Sequence, residues 1–372
     1  MKKRYWIPLL AIVALPFALY WSLKLPVFGA HPSADERQRY SNSNAFNSTQ
    51  GIFENRRPSL IKDMYAELSK WEIVLDWFAE SENATPSSKL PELSPDIAEF
   101  MQESEHTKLI WMGHSSFLLN ISGMTVLVDP VFSASAAPLN FLMPRFQPAV
   151  VSLEQLPDID VILISHDHYD HLDRQSVHYF ADKHTQFLTP LGVGAHLQRW
   201  GIAPNRIVEK DWWESLTVAG VQFTAAPAQH FSGRDGIKNN QTLWASWILI
   251  SEQSRLYFSG DSGYDIHFKE VGARYGPFDL SIMENGQYDE AWSAVHMFPK
   301  QTLQAHKDVN AKHLMPVHWG MFEMAYHPWY EPVEQLSIIA DAEKVELLTP
   351  MLGEIVILNE TVKTKRWWQT LI

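Results

Sequence analysis

From residue 107 onward the chain alternates short apolar runs with polar turns. Residues 108–112 and 116–121 are strand-like, with Gly113-His114-Ser115 between them, and Ser122-Gly123 is a hairpin signal before a strand at 124–128. The β-branched run 158–164, preceded by Pro157, predicts a buried strand. Further strands are expected at 186–189, 215–226, 244–250, 255–258, 278–283 and 313–317. Helices are expected over 192–200 and 299–309, with another between the strands at 255–258 and 278–283. Short strands mixed with helices predict an α/β sandwich.

The first hundred residues read differently. Lys2-Lys3-Arg4 precedes a run, 5–23, without a charge, about long enough to span a bilayer core at roughly 1.5 Å per residue. Trp6, Tyr20 and Trp21 lie near its ends, as interfacial aromatics do, and Pro8 and Pro16 are better tolerated in a membrane helix than in a soluble one. The basic flank predicts a cytoplasmic N-terminus, with the rest of the chain extracytoplasmic: periplasmic, on the inner membrane, in a Gram-negative cell. A cleaved signal peptide is the rival, because Val27-Phe28-Gly29-Ala30 is a small-residue cleavage region; the run is long for a signal peptide, which favours an uncleaved anchor. Residues 31–57, rich in Ser, Asn, Gln and Arg, read as a tether. Ile61, Met64, Tyr65, Leu68, Trp71, Leu75 and Phe78 predict an amphipathic helix over 58–80, either packed on the main domain or serving as a lid or membrane-facing wall. Pro86, Pro91 and Pro95 mark 81–96 as a linker. The expected division is 1–30 anchor or signal, 31–106 tether, helix and linker, and 107–372 catalytic domain.

Composition narrows the chemistry. The 372 residues are 46% apolar and include 15 tryptophans, enough for a large core. A formal charge of −13 argues against nucleic acid as a partner, since phosphate binding normally shows a basic surplus. The absence of cysteine excludes disulfides, thiolate metal sites and a cysteine nucleophile. A metal in this chain must be held by His and carboxylate.

Such a set exists. His166-x-His168-x-Asp170-His171 follows the buried run 158–164, so a strand would hold its loop while leaving it open to substrate. His230, Asp261 and His318 each stand just past another apolar strand, where a sheet would bring them to the same edge. With these residues in order, the sequence resembles the metallo-β-lactamase superfamily of dinuclear metal hydrolases over roughly 107–358. The resemblance implies an αβ/βα four-layer sandwich. It also implies one metal on His166, His168 and His230, a second on Asp170, His171 and His318, and Asp261 bridging them. Two divalent ions about 3.5–4 Å apart hold a bridging hydroxide and neutralise charge on attacked and leaving oxygens. Nitrogen and oxygen ligands suit two zinc ions and admit iron or manganese. His at 168, where diiron redox relatives carry Glu, favours hydrolysis over electron transfer.

A closer resemblance rests on Gly113-His-Ser-Ser, Val128-Asp-Pro-Val-Phe-Ser133, Asp211-Trp-Trp-Glu214, Leu243-Trp-Ala-Ser-Trp247, Gly260-Asp-Ser-Gly-Tyr264 and Val317-His-Trp-Gly320. These are similar to the N-acyl-phosphatidylethanolamine-hydrolysing phospholipase D family and, more loosely, to ascorbate-6-phosphate lactonase-like and RomA-like proteins. The resemblance implies cleavage of a membrane phospholipid at a phosphodiester, with Asp170 and His296 in catalytic roles and His296 as acid or electrostatic partner of the leaving group. The segment 284–296 is shorter than the phospholipase loop and lacks its Arg, which bears on head-group choice and not on the metal chemistry. Asp129 is either a turn cap or the partner of a ligand His, and His114 a structural residue or a support of the ligands. Tyr169 reads as packing or as a substrate contact, and Trp212 and Trp213 as core. His327-Pro328-Trp329-Tyr330 and Trp367-Trp368 line an apolar groove or fill a buried aromatic cluster. The rival readings are a lactonase or other ester hydrolase on a small polar substrate, with or without a phosphate, and a non-enzymatic envelope protein with a vestigial site. A homodimer is the candidate assembly.

Overall fold

The computed structural model describes residues 24–67, 81–359 and 361–372. A two-stranded hairpin, β1 (Phe46–Asn47) and β2 (Ile52–Phe53), precedes two seven-stranded mixed sheets. The first sheet contains β3 (Lys108–Trp111), β4 (Phe117–Ile121), β5 (Met124–Val128), β6 (Val161–Leu163), β7 (Gln186–Pro190), β8 (Ile207–Lys210) and β16 (Ile355–Ile357), in the order β16-β3-β4-β5-β6-β7-β8. The second contains β9 (Ser215–Val218), β10 (Val221–Ala226), β11 (Ser246–Ile250), β12 (Arg255–Phe258), β13 (Phe278–Glu284), β14 (Ala311–Val317) and β15 (Glu346–Leu347), in the order β15-β14-β13-β12-β11-β10-β9.

Both sheets are antiparallel on one side and parallel on the other, the change falling at β5–β6 in the first and β12–β13 in the second. Their central strands are largely buried on both faces, which is why they read as continuous apolar runs rather than alternating ones, whereas the edge strand β9 alternates between exposed and half-buried positions. Trp111, Phe117, Val126, Leu163, Phe223, Trp247, Phe258 and Ile282 meet between the sheets. Residues one step along the same strands point outward. Ile110, Leu118, Leu127 and Ile162 pack beneath Val177, Phe180 and Leu197 of the helices Arg174–Tyr179 and Gly194–Arg199. On the other side Ile248, Tyr257 and Leu314 pack beneath the helices His267–Tyr275, Pro299–Val309 and Glu331–Ala342. The result is the expected helix–sheet–sheet–helix sandwich. The run 215–226, expected as one strand, is a hairpin that turns at Ala219-Gly220, both with positive φ.

The expected tether and linker are corrected: both are built into the domain. The Ser33 side chain and Glu36 form a capping box on the helix Ala34–Arg39, Tyr40 and Phe53 pack with Trp244, and Asn55 bonds the His230 backbone through both its amide atoms. In the linker Leu90 is buried and Leu93 N donates to Leu352 O. Among the polar residues that suggested solvent, Asn55 is satisfied by distant backbone and Arg56 and Arg57 by the distant carboxylates of Glu270 and Asp265. The expected helix 58–80 is seen as Pro58–Glu67, the rest falling outside the described residues, as does the apolar run 5–23. Among the described residues no helix is long and apolar enough to cross a membrane. The C-terminal aromatics form a buried cluster: Trp367 stacks on Trp319 at 5.3 Å and on Trp329 at 6.2 Å, and Trp319 on Trp111 at 5.3 Å.

Candidate metal centre

Every expected ligand follows the carboxyl end of a strand, and the two sheets bring those ends to one edge. His166, His168, Asp170 and His171 leave β6; His230 leaves β10, Asp261 leaves β12 and His318 leaves β14. The β6 loop is fastened on three sides. Asp129, just past β5, accepts Ser165 N–H on Oδ1 (2.7 Å) and Ser165 Oγ–H on Oδ2 (2.5 Å). From the second sheet, Trp247 Nε1 donates to Ile164 O and Ala245 N to Ser165 O. Beyond the ligands Asp173 caps the helix Arg174–Tyr179 and also accepts from Ser133. Close approach requires glycine at two places. A Cβ on Gly260 would lie 2.8 Å from Ala245 O, and one on Gly286 would lie 1.5 Å from His318 O.

The side chains form two adjoining groups. His168 Nδ1 lies 2.9 Å from His166 Nε2 and 3.2 Å from His230 Nε2. Asp170 Oδ2 lies 3.3 Å from His171 Nε2, 3.2 Å from His318 Nε2 and 2.9 Å from His114 Nε2. Asp261 Oδ2 stands between them, 3.8 and 3.7 Å from His166 and His230 Nε2 and 3.2 and 3.1 Å from His171 and His318 Nε2. Ligands bound at about 2.0–2.1 Å in a tetrahedron are roughly 3.3–3.4 Å apart, and these separations bracket that value.

The chemistry of the donors fits a cation as well. His171 Nδ1 faces Asp129 Oδ2 at 2.8 Å, and His230 Nδ1 donates to Val295 O at 3.1 Å. Each therefore carries its ring proton outside the cluster and turns the Nε2 lone pair inward. His171 Nε2 and Asp261 Oδ1 are buried without a hydrogen-bond partner. Burial, reinforced by neighbouring imidazoles, holds His166 and His230 well below the usual histidine range, so both are neutral donors. Burial alone would raise Asp170 and Asp261, but the adjacent histidines hold both carboxyls well below the usual range. Burial works against charge on His171 and His318 too, yet the two carboxylates push both well above the usual histidine value. The cluster thus demands positive charge where a divalent cation would supply it. The all-His/carboxylate set admits zinc, iron or manganese.

The ambiguous residues now have places. Asp129 is both a loop fastener and the partner of His171. His114 and His318, with positive φ of 52° and 69°, interlock: His318 N donates to His114 O, and His114 N to Trp319 O. Tyr169 turns away from the cluster, its hydroxyl donating to Arg234 O. Trp212 Nε1 donates to Trp244 O, and Trp213 stacks on Tyr275. His296 stacks on His318 with ring centres 5.2 Å apart, its Nδ1 lying 3.2 Å from Glu284 Oε2. Glu284 was missed in the sequence, although it is an ionisable residue at the end of a strand, the same signal that marked the ligands. Fully buried, it also accepts Met297 N–H and lies 3.6 Å from His318 Nδ1.

His168, Asp261, His296 and His318 open into a cavity of about 370 Å³. Much of its lining is apolar, made of Phe231, Ala291, Trp292, Val295, Met324 and Tyr326 with Gln287 among them, and among the described residues no Lys or Arg lines it. Met324 and Tyr326 also border a neighbouring cavity of about 510 Å³ that reaches Met143 and Phe146.

Comparison with known proteins gives four findings. The family described as "Beta-lactamase superfamily domain" matches residues 124–319. An uncharacterized protein of Mycobacterium tuberculosis is 40% identical over 331 residues, 87% of each chain. N-acyl-phosphatidylethanolamine-hydrolyzing phospholipase D 1 of Caenorhabditis elegans is 34% identical over 264 residues, 66% of this chain and 74% of the relative. Among solved structures, the metallo hydrolase Igni18 of Ignicoccus hospitalis superposes with a TM-score of 0.51 at 19% identity, covering 68% of this chain and 98% of that one.

Proposed function

Because the chain belongs to the metallo-β-lactamase superfamily of metal-dependent hydrolases, we propose that it is a phosphodiesterase of the N-acyl-phosphatidylethanolamine phospholipase D type. In this reading it binds two zinc ions, and residues 5–23 hold it on the membrane that contains its phospholipid substrate. The observation that carries the reading is the cavity, in which apolar side chains share the lining with the His/Asp cluster. A phosphorylated small molecule would need a basic pocket, and among the described residues the lining has no Lys or Arg. The helix Pro58–Glu67 packs beside the turn Glu290–Trp292, part of the cavity wall, as a lid over a lipid would.

A divalent pair in such a site supplies Lewis acidity toward a phosphoryl oxygen and a hydrolytic nucleophile at neutral pH. His166, His168 and His230 would hold one ion, Asp170, His171 and His318 the other, with Asp261 facing both. Glu284, engaging His296 Nδ1, leaves Nε2 of that ring to deliver a proton to the departing alcohol oxygen. Trp292, Met324 and Tyr326 exclude water from the acyl side. The full chain, loaded with zinc, is offered vesicles containing N-acylphosphatidylethanolamine or phosphatidylethanolamine, a lactone, and bis(p-nitrophenyl) phosphate. Release of phosphatidate from vesicles is expected. Hydrolysis of the lactone alone, or of nothing, overturns the proposal, as does a pure protein without stoichiometric transition metal.

A further inference from the structure

The segment Val27-Phe28-Gly29-Ala30, a cleavage region by sequence, is used structurally. Ala30 N donates to His196 Nδ1 at 3.0 Å. A backbone N–H can only donate, so His196 carries its own proton on Nε2, which faces Asp167 Oδ2 at 3.1 Å. Asp167 stands between the ligand positions His166 and His168. Its carboxylate also accepts Gly233 N–H at 2.8 Å and Thr242 Oγ–H at 2.9 Å. A second line runs through Arg234. Its Nη1 donates to Asp167 O (2.7 Å) and Leu172 O (2.8 Å), at the two ends of the ligand loop, while Nε and Nη2 donate to Val27 O at 3.3 and 3.0 Å. Trp200 Nε1 donates to Pro26 O at 2.6 Å, and the Arg234 guanidinium lies 3.9 Å from the Tyr169 ring centre. Asp167, His196 and Arg234 are all buried. Gly29 has φ of +71°, and a Cβ there would lie 2.0 Å from His196 Nδ1, so only glycine lets the segment close.

We infer that residues 26–31 are a strap that positions the metal-ligand loop, acting through His196 on Asp167 and through Arg234 on both ends of the loop. This rests on reading the His/Asp cluster as a metal centre. Two consequences follow from the connectivity. Only Lys24 and Leu25 separate the apolar run from Pro26, so whatever holds that run holds the strap within roughly 11 Å of it. Cleavage after Ala30 would remove the carbonyls that Arg234 and Trp200 use, so the uncleaved chain is the form with a fully supported loop.

Zinc affinity of the full chain, read by competition with a chromophoric chelator, tests the strap. The melting temperature of each metal-free chain is measured alongside. His196→Leu and Gly29→Ala are expected to weaken zinc binding roughly 10- to 100-fold, the usual effect of removing a ligand's support. His196→Gln, which keeps an N–H near the Nε2 position, restores most of the affinity. Gly29→Ala removes no buried side chain and carries the test where His196→Leu does not fold. Wild-type affinity in both His196→Leu and Gly29→Ala overturns the inference, even with lowered metal-free melting temperatures, because the strap is then packing alone. A wild-type chain that binds no zinc overturns the metal-centre reading and, with it, the strap.

Discussion

The floor and the outer wall of the cavity are built on opposite plans. The floor consists of residues just past buried strand ends, three of them held by a further bond: His171 by Asp129, His230 by Val295 O, Asp170 by His114. The wall comes from the segment 287–296 and the loop at 324–326, where Trp292 and Tyr326 meet with their ring planes tilted by 51° and their neighbours are partly exposed. Rigid strands place charge where geometry matters to about half an ångström, while loops supply apolar surface whose exact placement matters less. The floor therefore accounts for reaction class and the wall for substrate choice.

This division can be broken at each level. Asp261 faces four ring nitrogens, so Asp261→Ala should give the largest effect: loss of stoichiometric metal and at least about a 10³-fold fall in hydrolysis, measured by metal analysis and single-turnover kinetics. Asp129→Asn keeps the shape but weakens the hold on His171 and Ser165. Zinc affinity should fall roughly 10- to 100-fold, measurable by chelator competition, with the fold intact by circular dichroism. Trp292→Ala, in the wall, should leave metal content unchanged while raising KM for a long-chain substrate about tenfold, with little change for bis(p-nitrophenyl) phosphate. A Trp292→Ala chain that loses metal would show that wall and floor are not separable.

The ligands were legible in the sequence because their chemistry is rare and their position repeats: an ionisable residue immediately after an apolar run. Glu284 obeys the same rule, standing just past the expected strand 278–283, but was read only as the start of the segment 284–296. His196 and Arg234 carried no such mark, since their role depends on Asp167, 29 and 67 residues away, and on the N-terminal segment. The apparent tether was misread for a physical reason. Polar side chains look solvated until a buried partner is known, and Asn55 and Arg57 find theirs at His230 and Asp265.

Hydrophobic periodicity and ligand spacing by themselves determined the central strands, the sandwich and the identities of the candidate ligands, because those depend on local pattern and on donor chemistry, while the short edge strands β8, β15 and β16 gave no such pattern. Tertiary structure alone decided which ring nitrogens turn inward, that the C-terminal tryptophans are core, that the cavity wall is apolar, and that residues 26–31 reach the ligand loop. Those outcomes depend on contacts between segments far apart in the chain, and no local pattern encodes them.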